Sequence, residues 1–137
     1  MSISVCYNAI DMQTHDRDQF SRMRQSLHEL AKEIEQLVSV FAERDVLVKG
    51  TVYEQRRKCG KPTCRCANGE LHSSMVLSRS EGGRTKLMIV PSGHLKDWQL
   101  LTERYQRFRR ARARLGQIYK TMTSLIDQLE ESRRREP

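Results

Sequence analysis

The sequence predicts an α+β protein, mostly α, in which two long helices flank a small β module. Apolar residues recur at alternating intervals of three and four in two separate stretches, which is the heptad spacing of coiled-coil helices. The segment between them is rich in β-branched residues and contains three of the four cysteines. We therefore expect an antiparallel coiled-coil hairpin with a three-stranded zinc-binding β module inserted at its tip.

This prediction divides the chain into five parts. Residues 1–15 show no sustained periodicity and are expected to form a flexible tail. Residues 16–44 form the first coiled-coil helix, 45–92 the β and zinc-knuckle module, and 93–132 the second coiled-coil helix. Residues 133–137 form a basic tail.

The heptad rows identify the residues expected to pack between the helices. The first row is Phe20, Met23, Leu27, Leu30, Ile34, Leu37 and Phe41. The second is Trp98, Leu101, Tyr105, Phe108, Arg112, Leu115, Tyr119, Met122, Ile126 and Leu129, in which Arg112 interrupts the apolar run. The second helix is expected to exceed the first by several turns. Because two isolated helices bury little apolar surface, we expect a homodimer, for example as a four-helix bundle.

Three strands are expected in the middle segment. They are Val46–Tyr53, Ser74–Ser78 and Thr85–Val90, with a tight turn at Gly82–Gly83 between the last two. Pro91 should end the third strand because proline has no N–H to donate to a neighbouring strand. The cysteine cluster then lies in the connection between the first and second strands of an antiparallel meander.

Cys59, Cys64, Cys66 and His72 form the candidate metal site. Three thiolates and one imidazole are a donor set that a closed tetrahedral Zn²⁺ site uses, and such a site is structural because no coordination position stays open for water. The spacing Cys-x4-Cys-x-Cys-x5-His matches neither a two-Cys two-His finger nor a Cys-x2-Cys ribbon. Two alternatives stay open: buried thiols without a metal, and redox-active thiols. Cys6 is expected not to be a ligand.

The charge of the chain favours polyanionic partners. It has 25 Lys and Arg against 17 Asp and Glu, a net charge of +8 and a pI near 9.7. Basic residues are concentrated in the β module, where we expect Lys49, Arg56, Arg57, Lys58, Lys61, Arg65, Arg84 and Lys86 to contact nucleic acid, DNA rather than RNA. The arginine block from Arg104 to Arg114 has a second interpretation, as a solvated helix face paired with acids of the first helix.

The chain lacks the sequence motifs of several enzyme classes. The chain has no P-loop, no HExxH, no glycine-rich dinucleotide motif and no zinc-deaminase signature, so we expect no enzymatic activity. No apolar run approaches the length of a membrane span, and no secretory signal is visible. We therefore expect a cytoplasmic protein in a reducing compartment, where clustered cysteines are typical of metal sites.

The stretch from Lys49 to His72 resembles a family of small, uncharacterised prokaryotic proteins. These proteins share a Gly-Ser/Thr-Val/Leu-Tyr strand and a Cys-Gly-Lys-Pro-x-Cys-x-Cys-Ala-x-Gly-x-x-His core, present here from Cys59 to His72. The resemblance covers roughly residues 49–110. Members of the family are often encoded beside transposases, which implies a nucleic-acid setting. Family members commonly have Gly-Pro-Tyr after the histidine, whereas this chain has Ser73-Ser74-Met75.

Together these observations favour a non-enzymatic, zinc-stabilised nucleic-acid-binding accessory protein linked to mobile elements or phage. The alternative is a coiled-coil interaction scaffold or inhibitor that recruits a protein partner through its helices, with a purely structural zinc module. A thiol-based redox sensor is the third hypothesis. The residues expected at the helix seam are Leu27, Leu30, Ile34, Leu37, Leu101, Tyr105, Phe108, Leu115 and Met122.

Overall fold

The structure, a computed structural model, describes the backbone of residues 6–137 and the side chains of residues 16–137. It is a mixed α+β chain with two long helices and one three-stranded sheet. The elements in order are α1 (Cys6–Phe41), β1 (Thr51–Arg57), β2 (His72–Glu81), β3 (Arg84–Ile89) and α2 (Leu95–Arg133). Short 3-10 turns cover Arg65–Ala67 and Ser92–His94.

Helix α1 begins at Cys6, ahead of the predicted start at residue 16. The later part of the predicted tail is therefore helical, while residues 1–5 and the Cys6 side chain lie outside the described residues. With 36 residues in α1 and 39 in α2, the helices are nearly equal in length. The expectation that the second helix exceeds the first by several turns is wrong. Within the described residues, neither helix has a stretch that is long and apolar enough to cross a bilayer.

The chain divides into two compact units, and α2 contributes to both. Unit 1 consists of Met1–Ala42 and Ala111–Pro137, and unit 2 of Glu43–Arg110. The predicted seam residues of α2 are consequently split between the units. Leu101, Tyr105 and Phe108 belong to unit 2, whereas Leu115 and Met122 belong to unit 1.

Unit 2 contains the antiparallel sheet in the strand order β1-β2-β3, which is the expected meander. The register places Tyr53 opposite Val76 and Val76 opposite Ile89. The turn between β2 and β3 has Gly82 at φ 58° and Gly83 at φ 76°. Two consecutive positive φ angles are the requirement of a type I′ hairpin turn, which explains the Gly-Gly pair.

Strand β1 starts at Thr51 rather than at the predicted Val46. The backbone before Thr51 is hydrogen-bonded to α2 instead, because the N–H of Val48 donates to the carbonyl of Leu101 over 3.0 Å. The guanidinium of Arg104 also donates to the carbonyl of Val46 over 3.2 Å. The β-branched residues at positions 46–48 therefore lie beside a helix, and strand pairing begins only after Gly50.

The core of unit 2 lies around the middle of β2. Val76 and Leu77 are 1% and 2% exposed, and Val90 is also buried. Gly50 closes this core with a φ of 147°, and a Cβ placed there would lie 2.7 Å from Cδ1 of Leu77 and 2.8 Å from the carbonyl oxygen of Ser78. The carbonyl of Gly50 accepts a hydrogen bond from Gln106 over 3.0 Å. Glycine is thus required at this position both by backbone conformation and by space.

In unit 1, the buried residues of α2 lie one position before residues of the predicted seam. Ile118 is fully buried and Ala111 is 6% exposed. The predicted seam residues Arg112, Tyr119 and Ile126 are exposed instead, which corrects the prediction at those three positions. The predicted seam residues of α1 are half-buried, as are Leu115 and Met122. Arg114 forms a two-pronged ion pair with Glu33 of α1, with Nη2 lying 2.8 Å from Oε2.

Candidate metal centre

The connection between β1 and β2 folds into a compact knuckle. Gly60, at φ 83°, supplies the left-handed conformation that reverses the chain after Cys59. The N–H of Cys64 donates to the carbonyl of Lys61 over 3.1 Å, and the N–H of Ala67 donates to the carbonyl of Cys64 over 3.0 Å. These turns fold residues 59–67 back on themselves and bring Cys59, Cys64 and Cys66 together.

His72 reaches the knuckle from the sheet. It is the first residue of β2 and lies opposite Arg57, the last residue of β1. Its Nε2 lies 3.2 Å from Sγ of Cys64. Sheet pairing therefore fixes the position of the fourth donor, while the turns of the knuckle fix the other three.

The four predicted ligands present their donor atoms to one another. All four donor atoms lie within 4.8 Å of one another. The Sγ atoms of Cys59 and Cys66 are 3.4 Å apart. In a tetrahedral zinc site with Zn–S bonds of about 2.3 Å, the sulfur atoms are separated by about 3.8 Å, so only small adjustments separate this cluster from a metal-binding arrangement. The cluster is close enough to hold a metal ion, and its soft thiolate donors are compatible with zinc.

Backbone N–H groups contact the sulfur atoms and favour the thiolates of Cys59 and Cys64. At Cys66 the hydrogen bond from the Cys59 backbone acts in the same direction, but burial and the neighbouring sulfurs raise the pKa overall. The N–H of Cys59 donates to Sγ of Cys66 over 3.3 Å. A hydrogen bond from the backbone of Lys61 lowers the pKa of Cys59, and one from the backbone of Cys66 is the largest influence lowering the pKa of Cys64 to about 6. Each of these last two N–H groups lies two residues after the sulfur that it contacts. This arrangement favours the charged, metal-binding form of both thiols.

The remaining two donors differ in environment. Cys66 is 1% exposed, whereas His72 lies at the surface. The hydrogen bond with Cys64 raises the pKa of His72, and Cys59 contributes in the same direction. A proton on His72 therefore competes with a metal ion for Nε2, because only the neutral imidazole binds metals.

The predicted nucleic-acid-binding residues are all at the surface, but their ion pairing differs. Arg56 lies 3.3 Å from Glu54, and Lys86 lies 2.6 Å from Glu81. Lys49 and Arg84 are exposed at the opposite end of the sheet from the knuckle. The remaining residues surround the cluster and have no carboxylate within ion-pair distance among the described side chains: Arg57, Lys58, Lys61 and Arg65. We call these four residues the knuckle cations.

Glu54 makes a contact across the sheet that the sequence does not reveal. Its carboxylate accepts a hydrogen bond from the hydroxyl of Ser73 and forms an ion pair with Arg56. The hydrogen bond from Ser73 has the largest effect in lowering the pKa of Glu54, and the charge of Arg56 lowers it further. Glu54 and Ser73 lie 19 positions apart in the chain, so only the register of β1 against β2 reveals that they meet.

A comparison with protein-family models supplies the identification. The model described as "Domain of unknown function (DUF6788)" matches residues 20–99. The chain belongs to this family. The match to the DUF6788 model includes most of α1, the whole sheet and the candidate metal-binding cluster. No curated protein matches the chain. No solved structure matches it either.

Proposed function

We propose that the protein is a non-enzymatic nucleic-acid-binding accessory protein whose contact surface is held in place by a structural zinc ion. The observation that carries this proposal is the position of the knuckle cations. Each of them is adjacent to a metal ligand: Arg57 lies opposite His72, Lys58 precedes Cys59, and Arg65 lies between Cys64 and Cys66. The backbone of Lys61 contacts the Cys59 sulfur.

The close grouping of unpaired cations at the knuckle supports this assignment. Arg107 forms an ion pair with Glu43, and Arg114 forms one with Glu33. These two helix arginines have carboxylate partners, whereas the knuckle cations have none among the described residues. Other arginines of α2, such as Arg109, are also without an ion pair there, but the knuckle cations are the set that surrounds the donor cluster. Unpaired cations that are held close together attract phosphate groups, because binding releases the counterions condensed on nucleic acid.

The role of zinc in this proposal is to order the knuckle. Three thiolates and the His72 imidazole would complete a tetrahedral shell, which favours a structural over a catalytic ion. Among residues 58–71, all of which the structure describes, Cys66 is the one buried side chain. Since so little apolar surface is buried there, metal binding would supply the free energy that orders the knuckle. The same ion would thereby fix the spacing of the four cations.

The contacts proposed for the knuckle cations are with phosphates. Lys and Arg side chains that contact phosphates position a protein on nucleic acid without reading the bases. Double-stranded DNA is the first ligand to test because it presents a higher density of phosphate charge than a single strand does. The resemblance to proteins encoded beside transposases makes mobile-element DNA a suitable source of that duplex.

The proposal is tested by removing the four charges without disturbing the metal site. A variant with alanine at Arg57, Lys58, Lys61 and Arg65 should retain zinc and bind duplex DNA at least about tenfold more weakly. The matched control removes four exposed cations of unit 1 that have no ion-pair partner among the described side chains, namely Arg17, Arg24, Lys32 and Lys120. Fluorescence anisotropy should show that the control retains most of its affinity. Equal losses in the two variants would assign binding to net charge alone and overturn the proposed contact surface.

A further inference from the structure

Helix α2 presents two adjacent apolar faces in unit 1. The inner face packs in the core of the unit and includes Ala111 and Ile118, which are both buried. The second face lies about 100° around the helix, since each residue advances by about that angle. We call it the outer row, and it consists of Arg112, Gly116, Tyr119, Thr123, Ile126 and Glu130.

The outer row is apolar at its centre and open to solvent. Tyr119 is 69% exposed and Ile126 is 50% exposed, although both are large apolar side chains. With Ile34 of α1, they line a groove of about 620 Å³. A second groove, lined by Leu27 and Leu129, also includes Ile126, so the apolar surface continues along the unit. Surfaces of this kind mark sites of association.

The outer row is palindromic in spacing. Its successive intervals are four, three, four, three and four residues, so the row reads the same from either end. If a second copy of α2 lies antiparallel to the first, Arg112 faces Glu130 of that copy and Gly116 faces Ile126. Tyr119 then faces Thr123. Each pair is complementary, because opposite charges meet at the two ends and a small residue meets a large one in between.

Gly116 also favours close approach of a second helix to the outer row. Glycine weakens the interior of a helix relative to alanine. Nothing lies within 4 Å of the position that a Cβ would occupy at Gly116, so no described neighbour within the chain requires glycine there. A second copy of the helix would provide the reason, since glycine allows the Ile126 side chain of that copy to approach closely.

We propose that the outer row is a docking surface for a second copy of this chain, with the two α2 helices antiparallel about a two-fold axis near residue 121. Charge and size complementarity along the row both favour this occupant over an unrelated helix. The Glu130–Arg134 ion pair, at 3.7 Å with both side chains about two-thirds exposed, is weak enough to rearrange. Pairing of the two α2 helices would not depend on nucleic-acid binding.

The test exchanges the terminal charges of the row. Arg112→Glu and Glu130→Arg should each weaken self-association at least about tenfold, because each single change places two like-charged pairs at the interface. The double variant, Arg112→Glu with Glu130→Arg, restores both pairs in reversed order and should dimerise with near wild-type affinity. Lys120→Glu makes a charge reversal on another face of α2 and should leave dimerisation unchanged. Sedimentation equilibrium measures all five proteins.

Two further variants test the centre of the row without altering the buried core. Tyr119→Glu and Gly116→Leu should abolish the dimer while the helix content of the monomer, measured by circular dichroism, is retained. A wild-type protein that is monomeric at 100-fold the concentration used for binding studies would overturn the proposal. Single charge variants that dimerise like the wild-type protein, as a parallel arrangement predicts, would also overturn it. A double variant that does not recover dimerisation would do the same. A monomer whose groove binds a helix of another protein would assign the surface to a different occupant and equally refute self-pairing.

Discussion

Sγ of Cys64 lies 3.2 Å from Nε2 of His72, and this contact joins the knuckle to the first residue of β2. One partner is positioned by turns within residues 59–67, and the other by pairing of β1 with β2. The contact therefore depends on both parts of unit 2. A metal ion bound there would couple the order of the knuckle to the register of the sheet.

Replacing a ligand should release the metal and disorder the knuckle. Cys64→Ser removes one of three thiolates, and we expect the purified variant to contain well under one zinc per chain. Amide hydrogen exchange across residues 58–71 should increase while α2 stays protected. Thr63→Ala, which changes an exposed neighbour in the same segment, should retain zinc and wild-type exchange. A Cys64→Ser protein with full zinc content would contradict the assigned ligand set.

Metal affinity should depend on pH in a defined direction. The pKa of Cys64 is lowered to about 6, so its thiolate is populated above that pH and is lost below it. The pKa of His72 is raised, so its imidazole already carries a proton as the pH falls toward 6. We expect apparent zinc affinity, measured by competition with a chelator, to fall steeply as the pH decreases from about 7.5 to about 5.5. An affinity that is constant over this range would show that these two groups are not ligands.

Gly50 should tolerate no side chain. Its φ of 147° and the 2.7 Å distance from Leu77 Cδ1 to the position of an added Cβ both penalise alanine there. We expect Gly50→Ala to lower the free energy of unfolding by about 2 kcal/mol, measured by urea denaturation. Gly93→Ala is the matched control, because nothing lies within 4 Å of its Cβ position, and it should change stability by less than about 0.5 kcal/mol. Similar stabilities for the two variants would contradict the packing described around Gly50.

Two isoleucines of α2 distinguish the observed helix packing from the predicted seam. Ile118 is fully buried, whereas Ile126, which the heptad pattern placed in the seam, is 50% exposed. Ile118→Ala should cost about 2–5 kcal/mol of unfolding free energy, and Ile126→Ala less than about 1 kcal/mol, at concentrations too low for self-association. The reverse order would support the row predicted from the sequence.

The sequence predicted the elements of the fold better than the packing between them. Alternating intervals of three and four residues correctly indicated both helices, and the Gly82–Gly83 pair correctly indicated the hairpin turn. On α2, however, two rows with the same spacing lie side by side. The pattern cannot tell which of them is buried, because Ile118 and Tyr119 are both apolar. The interruption at Arg112 was the one indication that part of the predicted row faced outward.

In the strands and at the candidate metal centre, the sequence likewise did not identify which residues contact each other. Residues 46–48 have strong β propensity, yet the backbone of Val48 is hydrogen-bonded to α2 and not to a strand. Conversely, the polar residues His72 and Ser73 belong to β2 because Arg57 and Arg56 pair with them. Propensity describes a residue and not its partner. The grouping of the candidate metal ligands was predictable because donor chemistry alone indicates it, whereas the Glu54–Ser73 contact depends on strand register.

The central claim is that the knuckle cations contact nucleic-acid phosphates, and the salt dependence of binding tests it most directly. For duplex DNA, the slope of log affinity against log salt concentration changes by about 0.9 for each phosphate contact. Alanine at Arg57, Lys58, Lys61 and Arg65 should therefore reduce the magnitude of that slope by about 3 to 4, while the control variant of unit 1 changes it by less than about 1. Identical slopes for the wild-type protein and the knuckle variant would contradict the account.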